Sequence, residues 1–456
     1  MIDNAIETIR TATAKGPFQD KLFLVGGLLR DLALGLSPEE DIDIVCLSDA
    51  LAVAEHLHQL GLTDHAPVVY PRFGTAMVTI AGIPVEFATS RRESYHPDSR
   101  KPVVEPATLE EDVLRRDFTV NTLLRNLHNG KDLDLTGRAF ADMEAQIIQT
   151  PLDPVDTFTD DPLRMLRAVR FAAKLDFQIE AATRQAITQC APRLSIISSE
   201  RIRDELSKTL LLSRATVGLN LMLETGLLEQ LAPELAAMAR VTQNIYHLYD
   251  VWVHTMKAIE NLPTDADLTV RLGVLFHDIG KPSSKSEDSR GVHFYGHQDI
   301  GAQMTRQILE HLKYPNEVIN QVGQLVALHM RIGEYNQGWS DSAVRRLVRD
   351  LGDQIDELFT MCDADKAACN PDYHSLDSSE VLDRVAKVQQ EADYAHVQSP
   401  LDGAEIMQLT GLPPGRKIGE YKEALISEIL EGRLAPDDKI AAEEILRRML
   451  EEESGD

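Results

Sequence analysis

The stretch Leu24-Val25-Gly26-Gly27-Leu28-Leu29-Arg30-Asp31, followed shortly by Asp41-Ile42-Asp43, constrains this chain more than any other. Lys21 to Val25 reads as a short buried strand, and Leu28 to Leu34 as the helix after it. Gly26-Gly27 lets the backbone pass tightly between them and leaves helix N–H groups pointing at an anion. Arg30, one turn into the helix, adds a charged donor suited to phosphate oxygens. Asp41 to Val45 is strand-like, and a period of two puts Asp41 and Asp43 on one face. Two carboxylates converging beside a phosphate cradle predict Mg²⁺ binding and in-line displacement at phosphorus. Singly, Gly-Gly is an ordinary turn and Asp-x-Asp a solvated strand face; at this order and spacing those readings lose ground.

The chain of 456 residues is too long for one ordinary domain, and two to four are expected. Its 46 basic and 73 acidic residues give a net charge of −27, which argues against nucleic-acid binding by the whole surface. The basic residues are nonetheless gathered in the first half: Arg91, Arg92, Arg100, Lys101, Arg115, Arg116, Arg164, Arg167, Arg170 and Lys174. An acidic run, Glu451-Glu452-Glu453, reads as a solvated tail. Cys46, Cys190, Cys362 and Cys369 form neither a disulfide framework nor a zinc pattern, so reduced thiols and a cytoplasmic location are expected. Ile2 to Ala14 reads as an amphipathic helix rather than a basic-then-apolar leader, and no apolar run approaches membrane-spanning length.

Residues 1 to about 145 mix helices and strands. Leu51 to Leu60 is helical; Ala76–Ile80 and Pro84–Ala88 form a hairpin turning at Ala81-Gly82. Glu86, on the opposite strand face from Val85 and Phe87, is a candidate third carboxylate, though a solvated strand residue is the plainer reading. Ser90 to Glu111 is polar, basic and proline-punctuated, which predicts a mobile loop, either plain surface or substrate-handling. In Arg115-Arg116-Asp117-Phe118-Thr119-Val120-Asn121, the acid and amide suit a ribose and the arginines a triphosphate. Asn129-Gly130 is a second hairpin signal, with Asp132 to Leu135 as the returning strand.

From about 146 the pattern turns helical. In Asp160-Asp161-Pro162-Leu163-Arg164-Met165-Leu166-Arg167-Ala168-Val169-Arg170-Phe171, arginines recur every three residues beside an apolar stripe. Asp161 and Arg164 carry a more specific chemistry. A carboxylate accepts from the exocyclic amine of C or A, and a guanidinium donates to the adjacent ring acceptors. G and U present the opposite polarity, so such a pair selects C and A without a nucleic-acid template.

These motifs together resemble class II CCA-adding enzymes and bacterial poly(A) polymerases. GG-x-x-RD with D-x-D resembles their nucleotidyltransferase head, and Arg115 to Asn121 the RRDFT-x-N motif. Asp161 and Arg164 fall in the nucleotide-selecting ED-x-x-R motif, where Asp160 replaces the usual glutamate. Ser199-Glu200-Arg201-Ile202 to Leu206 resembles the E-R-I-x-x-E-L element. The resemblance covers roughly the first 240 residues and implies addition of C, C and A to a tRNA 3′ end from CTP and ATP. It implies that Asp41 and Asp43 hold two Mg²⁺ ions; that Gly26, Gly27, Arg30 and Arg116 meet phosphates; that Asp117 and Asn121 lie nearer the ribose; and that Arg167 and Arg170 orient the base-reading pair or touch phosphate. A poly(A) polymerase and a partial CC- or A-adding enzyme remain alternatives. The length of the Arg91–Glu111 segment argues mildly against a CC-only enzyme, in which that loop is degraded.

Beyond 240, His254 precedes His277-Asp278-Ile279-Gly280-Lys281-Pro282, and His297, His329 and Asp365 follow. Two histidines and two carboxylates suit a divalent transition metal, which generates hydroxide for phosphoester hydrolysis. The set resembles an HD phosphohydrolase domain with His254, His277, Asp278 and Asp365 as its ligands, Asp363 being the runner-up for the last. Tyr295-Gly296-His297 and Leu325 to His329 reinforce the match, and a structural role for this domain stays open. Leu401-Asp402-Gly403 and Gly411 to Gly419 look like the closing segment of such fusions. The expected architecture is an α/β nucleotidyltransferase head with a mixed sheet (1–145), an all-α neck and body (146–240), an α-helical HD domain (241–370) and a helical tail (371–456). A rival reading is an HD phosphohydrolase with a non-catalytic RNA-binding head; the intact Asp41, Asp43, Asp161 and Arg164 weigh against it. The sequence leaves the oligomeric state open.

Overall fold

The computed structural model describes residues 1–38, 41–96, 99–289, 291–333, 339–373 and 378–454. Contacts divide them into two compact units, 1–236 and 237–456.

The first unit is built on a seven-stranded mixed sheet. Its strands are β1 (Leu22–Val25), β2 (Ile42–Cys46), β3 (Val68–Tyr70), β4 (Thr75–Ile80), β5 (Ile83–Thr89), β8 (Leu124–Asn126) and β9 (Asp132–Leu133), in the order β3-β4-β5-β2-β1-β8-β9. Only β2 and β5 run parallel. All four β1 residues are buried, as a central strand covered on both faces requires. Phe23, Val25, Val45, Val113 and Leu124 form one apolar cluster behind the sheet. The β4–β5 turn places Ala81 at φ 51° and Gly82 at φ 79°, the left-handed pair that a two-residue hairpin needs.

Helix α1 (Ile2–Thr13) buries Ala5 and Ile9, and α2 (Gly27–Ala33) follows β1 directly. Helix α3 (Ala50–Gln59) buries Val53, Ala54 and Leu57. The Ser90–Glu111 segment departs from its expected form. Its backbone is a two-stranded antiparallel ribbon, β6 (Arg91–His96) and β7 (Ser99–Pro106), followed by α4 (Leu109–Leu114). Backbone pairing in a two-stranded ribbon needs no apolar alternation, and each of its strands is an edge strand, where Pro102 and Pro106 are tolerated. The side chains of Arg92, Arg100 and Lys101, part of the expected basic set, lie outside the described residues.

From Pro154 to Ala236 the regular structure is helical apart from Gln178–Ile179, which pairs in parallel with Ile147–Ile148. Helix α5 (Leu163–Leu175) carries the arginines, and α6 (Ser199–Leu210) packs beside it. In α5, Leu163, Leu166 and Val169 face the core. Phe171, at 5% exposure, stands edge-on to Phe118 with ring centroids 5.9 Å apart. That contact ties the helical part of the unit to the 3-10 turn Thr119–Asn121 next to β8.

Among its described residues the regular structure of the second unit is helical with one exception, a hairpin of Ser286–Asp288 with Gly291–His293. Five helices build its centre: α7 (Val251–Glu260), α8 (Leu268–Phe276), α9 (His297–His311), α10 (Asn316–Gly333) and α11 (Ile355–Ala368). The closing segment forms helices Gly403–Thr410, Arg416–Leu430 and Lys439–Ser454. Asp402 and Glu405 make a capping box at the first of these, and Gly411, at φ 70°, ends it. The acidic run Glu451–Glu453 belongs to the last helix. It is exposed, but Glu453 binds Lys417 Nζ and Tyr421 Oη, each at 2.8 Å, so the tail is not merely solvated. Among the described residues no helix is long and apolar enough to cross a membrane.

Candidate functional site

In the first unit a pocket of about 570 Å³ is lined by Gly26, Gly27, Arg30, Asp41, Asp43, Glu86, Arg116, Asp117, Asn121, Arg167 and Arg170, together with Phe171, Lys174 and Lys208. Its acidic wall follows from strand register. Asp43 on β2 lies opposite Val25 on β1 and opposite Glu86 on β5, so the turn after β1 and two carboxylates share one sheet end. Gly26 adopts φ 81°, and a Cβ there would stand 3.1 Å from Asp43 Oδ2. Glycine thus serves both the turn and the close approach of the carboxylate. Burial, then Glu86 and Asp41, push the Asp43 carboxyl up to about 6 against the pull of Arg116 and Arg167. Such a crowded, desolvated set of carboxylates favours a cation.

The opposite wall is basic and braced. Arg30, 2% exposed, spends its guanidinium on Asp31 (2.7 Å) and Asn121 Oδ1 (2.8 Å). Asp117 Oδ1 accepts from the Phe118 amide (2.8 Å) and Asn121 Nδ2 (3.0 Å), and Oδ2 accepts from Arg167 Nε (2.9 Å). Burial works against the Asp117 charge, but Arg167, Asn121 and Arg164 outweigh it and hold the carboxyl at about 2. Arg116 binds Asp112 at 3.1 Å, while its buried Nε has no hydrogen-bond partner.

Asp161 and Arg164 do not line this pocket. Asp161 Oδ1 accepts from the Leu163 amide (3.2 Å), and Oδ2 pairs with Arg201 (3.2 Å). Arg164 donates to the Arg115 carbonyl at 2.7 Å. Both remain electrically coupled to the pocket, Arg164 through Asp117 and Asp161 through Arg167.

Several residues here escaped the sequence reading. Glu205 on α6 takes Arg170 at 2.7 Å and Arg167 at 3.7 Å, and Arg201 holds Asp161. Both lie inside the E-R-I-x-x-E-L stretch, whose spacing marks a helix face and gives no partner. Phe171 has Arg30, Arg167 and Arg170 over its ring at 5.0, 5.2 and 4.5 Å. Its cation–π contacts hold three like charges together.

The second unit has its own pocket, about 480 Å³, whose walls include Asp278, Lys281, His297, His329, Asp363 and Asp365. His254 comes from α7, His277 and Asp278 from the end of α8, and Asp365 from α11. His254 Nε2 lies 2.8 Å from Asp365 Oδ1 and 3.7 Å from Asp278 Oδ2. His277 Nε2 is 3.2 Å from Asp278 Oδ2 and 3.5 Å from Asp365 Oδ1. The four expected ligands therefore converge, with Asp365 rather than Asp363 at the histidines. Burial disfavours charge on His277, yet Asp278 and Asp365 raise its pKa to about 10. The site favours a positive charge where a metal ion would sit. Lys281, 5% exposed and carrying no signal in the sequence pattern, places Nζ 2.7 Å from Asp278 Oδ2 and 2.6 Å from Gln243 Oε1.

Comparison with known proteins places these sites in a family. Residues 22–149 match the poly A polymerase head domain, 176–238 the probable RNA and SrmB-binding site of polymerase A, and 244–369 the HD domain. The CC-adding tRNA nucleotidyltransferase of Thermus thermophilus is 32% identical over 433 residues, 92% of each chain. The chain belongs to the tRNA nucleotidyltransferase and poly(A) polymerase family. The A-adding tRNA nucleotidyltransferase of Deinococcus radiodurans is also 32% identical, over 77% of this chain and 81% of its own. The fold is shared with the CCA-adding enzyme of Bacillus stearothermophilus in complex with CTP (TM-score 0.67, 21% identity, 100% and 99% of the two chains). It is shared too with the Thermotoga maritima CCA-adding enzyme complexed with tRNA (TM-score 0.56, 20% identity, 98% of each). As a family member the chain is a nucleotidyltransferase whose chemistry uses a divalent metal.

Proposed function

We propose that the head adds C, C and A, without a nucleic-acid template, to the 3′ end of tRNA, using CTP and ATP. The observation that carries this reading is the meeting of Asp41, Asp43 and Glu86 with Gly26-Gly27 and the Asp117–Arg167 pair in one pocket. Relatives named for CC addition and for A addition match most of this chain, which supports both halves of the product. Asp41 and Asp43 would hold Mg²⁺, and the raised Asp43 carboxyl fits that use. When bound, Mg²⁺ supplies an acidified 3′-hydroxyl and charge neutralisation on the triphosphate.

The protein's own residues do the rest. Gly27 and Arg116 meet phosphate oxygens, Arg116 with a spare buried N–H. Arg30 acts mainly by fixing Asn121, which with Asp117 faces the ribose. Asp161 and Arg164 read the base edge, and Arg167 and Arg170 keep α5 in register through Asp117 and Glu205. The Arg201–Asp161 bridge is 40% and 18% exposed on its two sides, so a base can share or replace it at a cost of about 0–1 kcal/mol.

The finer division at 145, 240 and 370, a cytoplasmic location, and a divalent transition metal on His254, His277, Asp278 and Asp365 belong to the same reading. That second set suits phosphoester hydrolysis. The test is purified protein with tRNA ending before C74 (tRNA numbering), each NTP supplied singly and then together. The reading expects CC from CTP alone and CCA from CTP with ATP. A ladder of A residues would make it a poly(A) polymerase, and arrest after CC a CC-adding enzyme.

A further inference from the structure

We propose that Asp112 is a positioning residue for nucleotide addition: one buried carboxylate aims Arg116 at the triphosphate and, through Arg115, seats the base-reading Arg164. The inference rests on the reading that the head binds CTP and ATP with Arg116 on phosphate and Arg164 on the base. Asp112 lies on α4 and is 1% exposed. Arg115 and Arg116 follow it by three and four residues, so both reach back to it along one helix face. Its two oxygens serve different arms. Oδ2 accepts from Arg116 Nη2 at 3.1 Å. Oδ1 accepts from Arg115 Nη2 and Nε at 2.6 and 3.1 Å, and from the Arg91 amide at 3.3 Å.

The first arm ends in the pocket. Arg116 lines it together with Asp43 and Glu86, and among the described residues its guanidinium has no hydrogen-bond or ion-pair partner but Asp112. A long side chain held at one point by a buried carboxylate keeps its remaining N–H groups for an anionic ligand. It also loses less rotamer freedom when that ligand binds. Burial disfavours the Asp112 charge, but Arg116, Arg115 and the Arg91 amide outweigh it and hold the carboxyl below its ordinary value. The brace therefore stays charged at neutral pH.

The second arm ends at the base reader. Arg115 is the C-cap of α4, where the last carbonyls have no donor from their own helix. Its carbonyl takes Arg164 Nη2 at 2.7 Å instead. The Arg115 side chain is pinned by Asp112 and by the Arg91 carbonyl, 2.9 Å from Nε. Arg91 in turn donates Nη1 to the Phe73 carbonyl at 2.6 Å, which ties the shelf under Arg164 to the turn before β4. With one oxygen for each arm, Asp112 makes the phosphate donor and the base reader depend on a single group.

The test compares full-length wild type, Asp112→Asn and Arg115→Ala on tRNA ending before C74. In Asp112→Asn the amide oxygen stays with the donors of Arg115 and Arg91, and the NH₂ meets Arg116 donor to donor. KM for CTP and ATP should rise at least about tenfold, with kcat within about threefold and the preference for C and A kept. Inhibition by pyrophosphate should weaken by a similar factor and inhibition by cytidine should not, a split that general loosening of the fold does not produce. Arg115→Ala should do the converse, admitting U or G while KM for CTP stays within about threefold. It decides the second arm even where Asp112→Asn fails to fold. An unchanged KM in folded Asp112→Asn, equal weakening of pyrophosphate and cytidine, or intact selection in Arg115→Ala overturns the inference and leaves the proposed function standing. A wild type that adds neither C nor A overturns that function, and the inference with it.

Discussion

Asp43→Asn should abolish nucleotide addition and yet stabilise the metal-free protein. The argument starts from burial beside Glu86 and Asp41, which lifts the Asp43 carboxyl to about 6 from an ordinary value near 3.8. Above pH 6 the folded protein holds a charge that the unfolded chain solvates far better. A rise of about 2 units corresponds to about 3 kcal/mol of native-state penalty at pH 7.5. The sign is fixed by proton counts: between 3.8 and 6 the folded state binds more protons than the unfolded one. The penalty therefore shrinks as pH falls, to about half by pH 5. An amide at this position removes the charge with little change of shape. At a few °C per kcal/mol for a unit of this size, Asp43→Asn should raise the unfolding temperature in EDTA by up to about 6–12 °C at pH 7.5, and by less at pH 5. Mg²⁺ should stabilise the wild type and leave the variant nearly unmoved. The assay is thermal unfolding of both proteins at two pH values, with and without Mg²⁺. A variant less stable than wild type at pH 7.5, or one stabilised equally by Mg²⁺, would refute the reasoning.

Three further outcomes follow from the geometry. Phe171→Leu keeps most of the buried volume and should cost under about 1.5 kcal/mol of stability, but it removes the platform beneath three arginines and should lower kcat at least tenfold; unchanged kcat would make the ring mere packing. Gly26→Ala combines a left-handed backbone with a Cβ 3.1 Å from Asp43 Oδ2, so incorporation should drop at least tenfold in a folded protein, and full activity would contradict the cradle. His277→Ala with Asp278→Ala should leave nucleotide addition within about threefold and remove any metal-dependent phosphoesterase activity, because the two ligand sets belong to different compact units; equal loss of both activities would tie them to one site.

The head was legible because its signals are local. Gly-Gly between strand and helix, alternation in Asp41-Ile42-Asp43, and turn pairs at Ala81-Gly82 and Asn129-Gly130 each act within a few residues, and each element appears within one or two residues of its expected bounds. The β6–β7 ribbon was hidden because backbone pairing between polar strands leaves no periodic trace. The braces of the site were hidden for another reason. Arg30–Asn121, Arg170–Glu205 and Asp161–Arg201 join residues 35 to 91 positions apart; the first depends on how α2 meets the turn at Thr119–Asn121, the other two on how α5 and α6 pack. Its place one turn past Gly26-Gly27 marked Arg30 as a charge facing phosphate, whereas its guanidinium bonds to Asp31 and Asn121. In the second unit the histidines were visible as ligands, but the approach of Lys281 to Asp278 needs coordinates.

The central claim is that protein side chains choose the base. Wild type, Asp161→Ala and Arg164→Ala should each be given all four NTPs in competition on tRNA ending before C74, and the incorporated bases sequenced. A charged hydrogen bond left unmade costs on the order of 2 kcal/mol, roughly thirtyfold in selection. Wild type should incorporate C and A alone, and both variants should admit U or G. Variants that slow every nucleotide equally, with the preference for C and A intact, would contradict the account and leave Asp161 and Arg164 as braces of the helix.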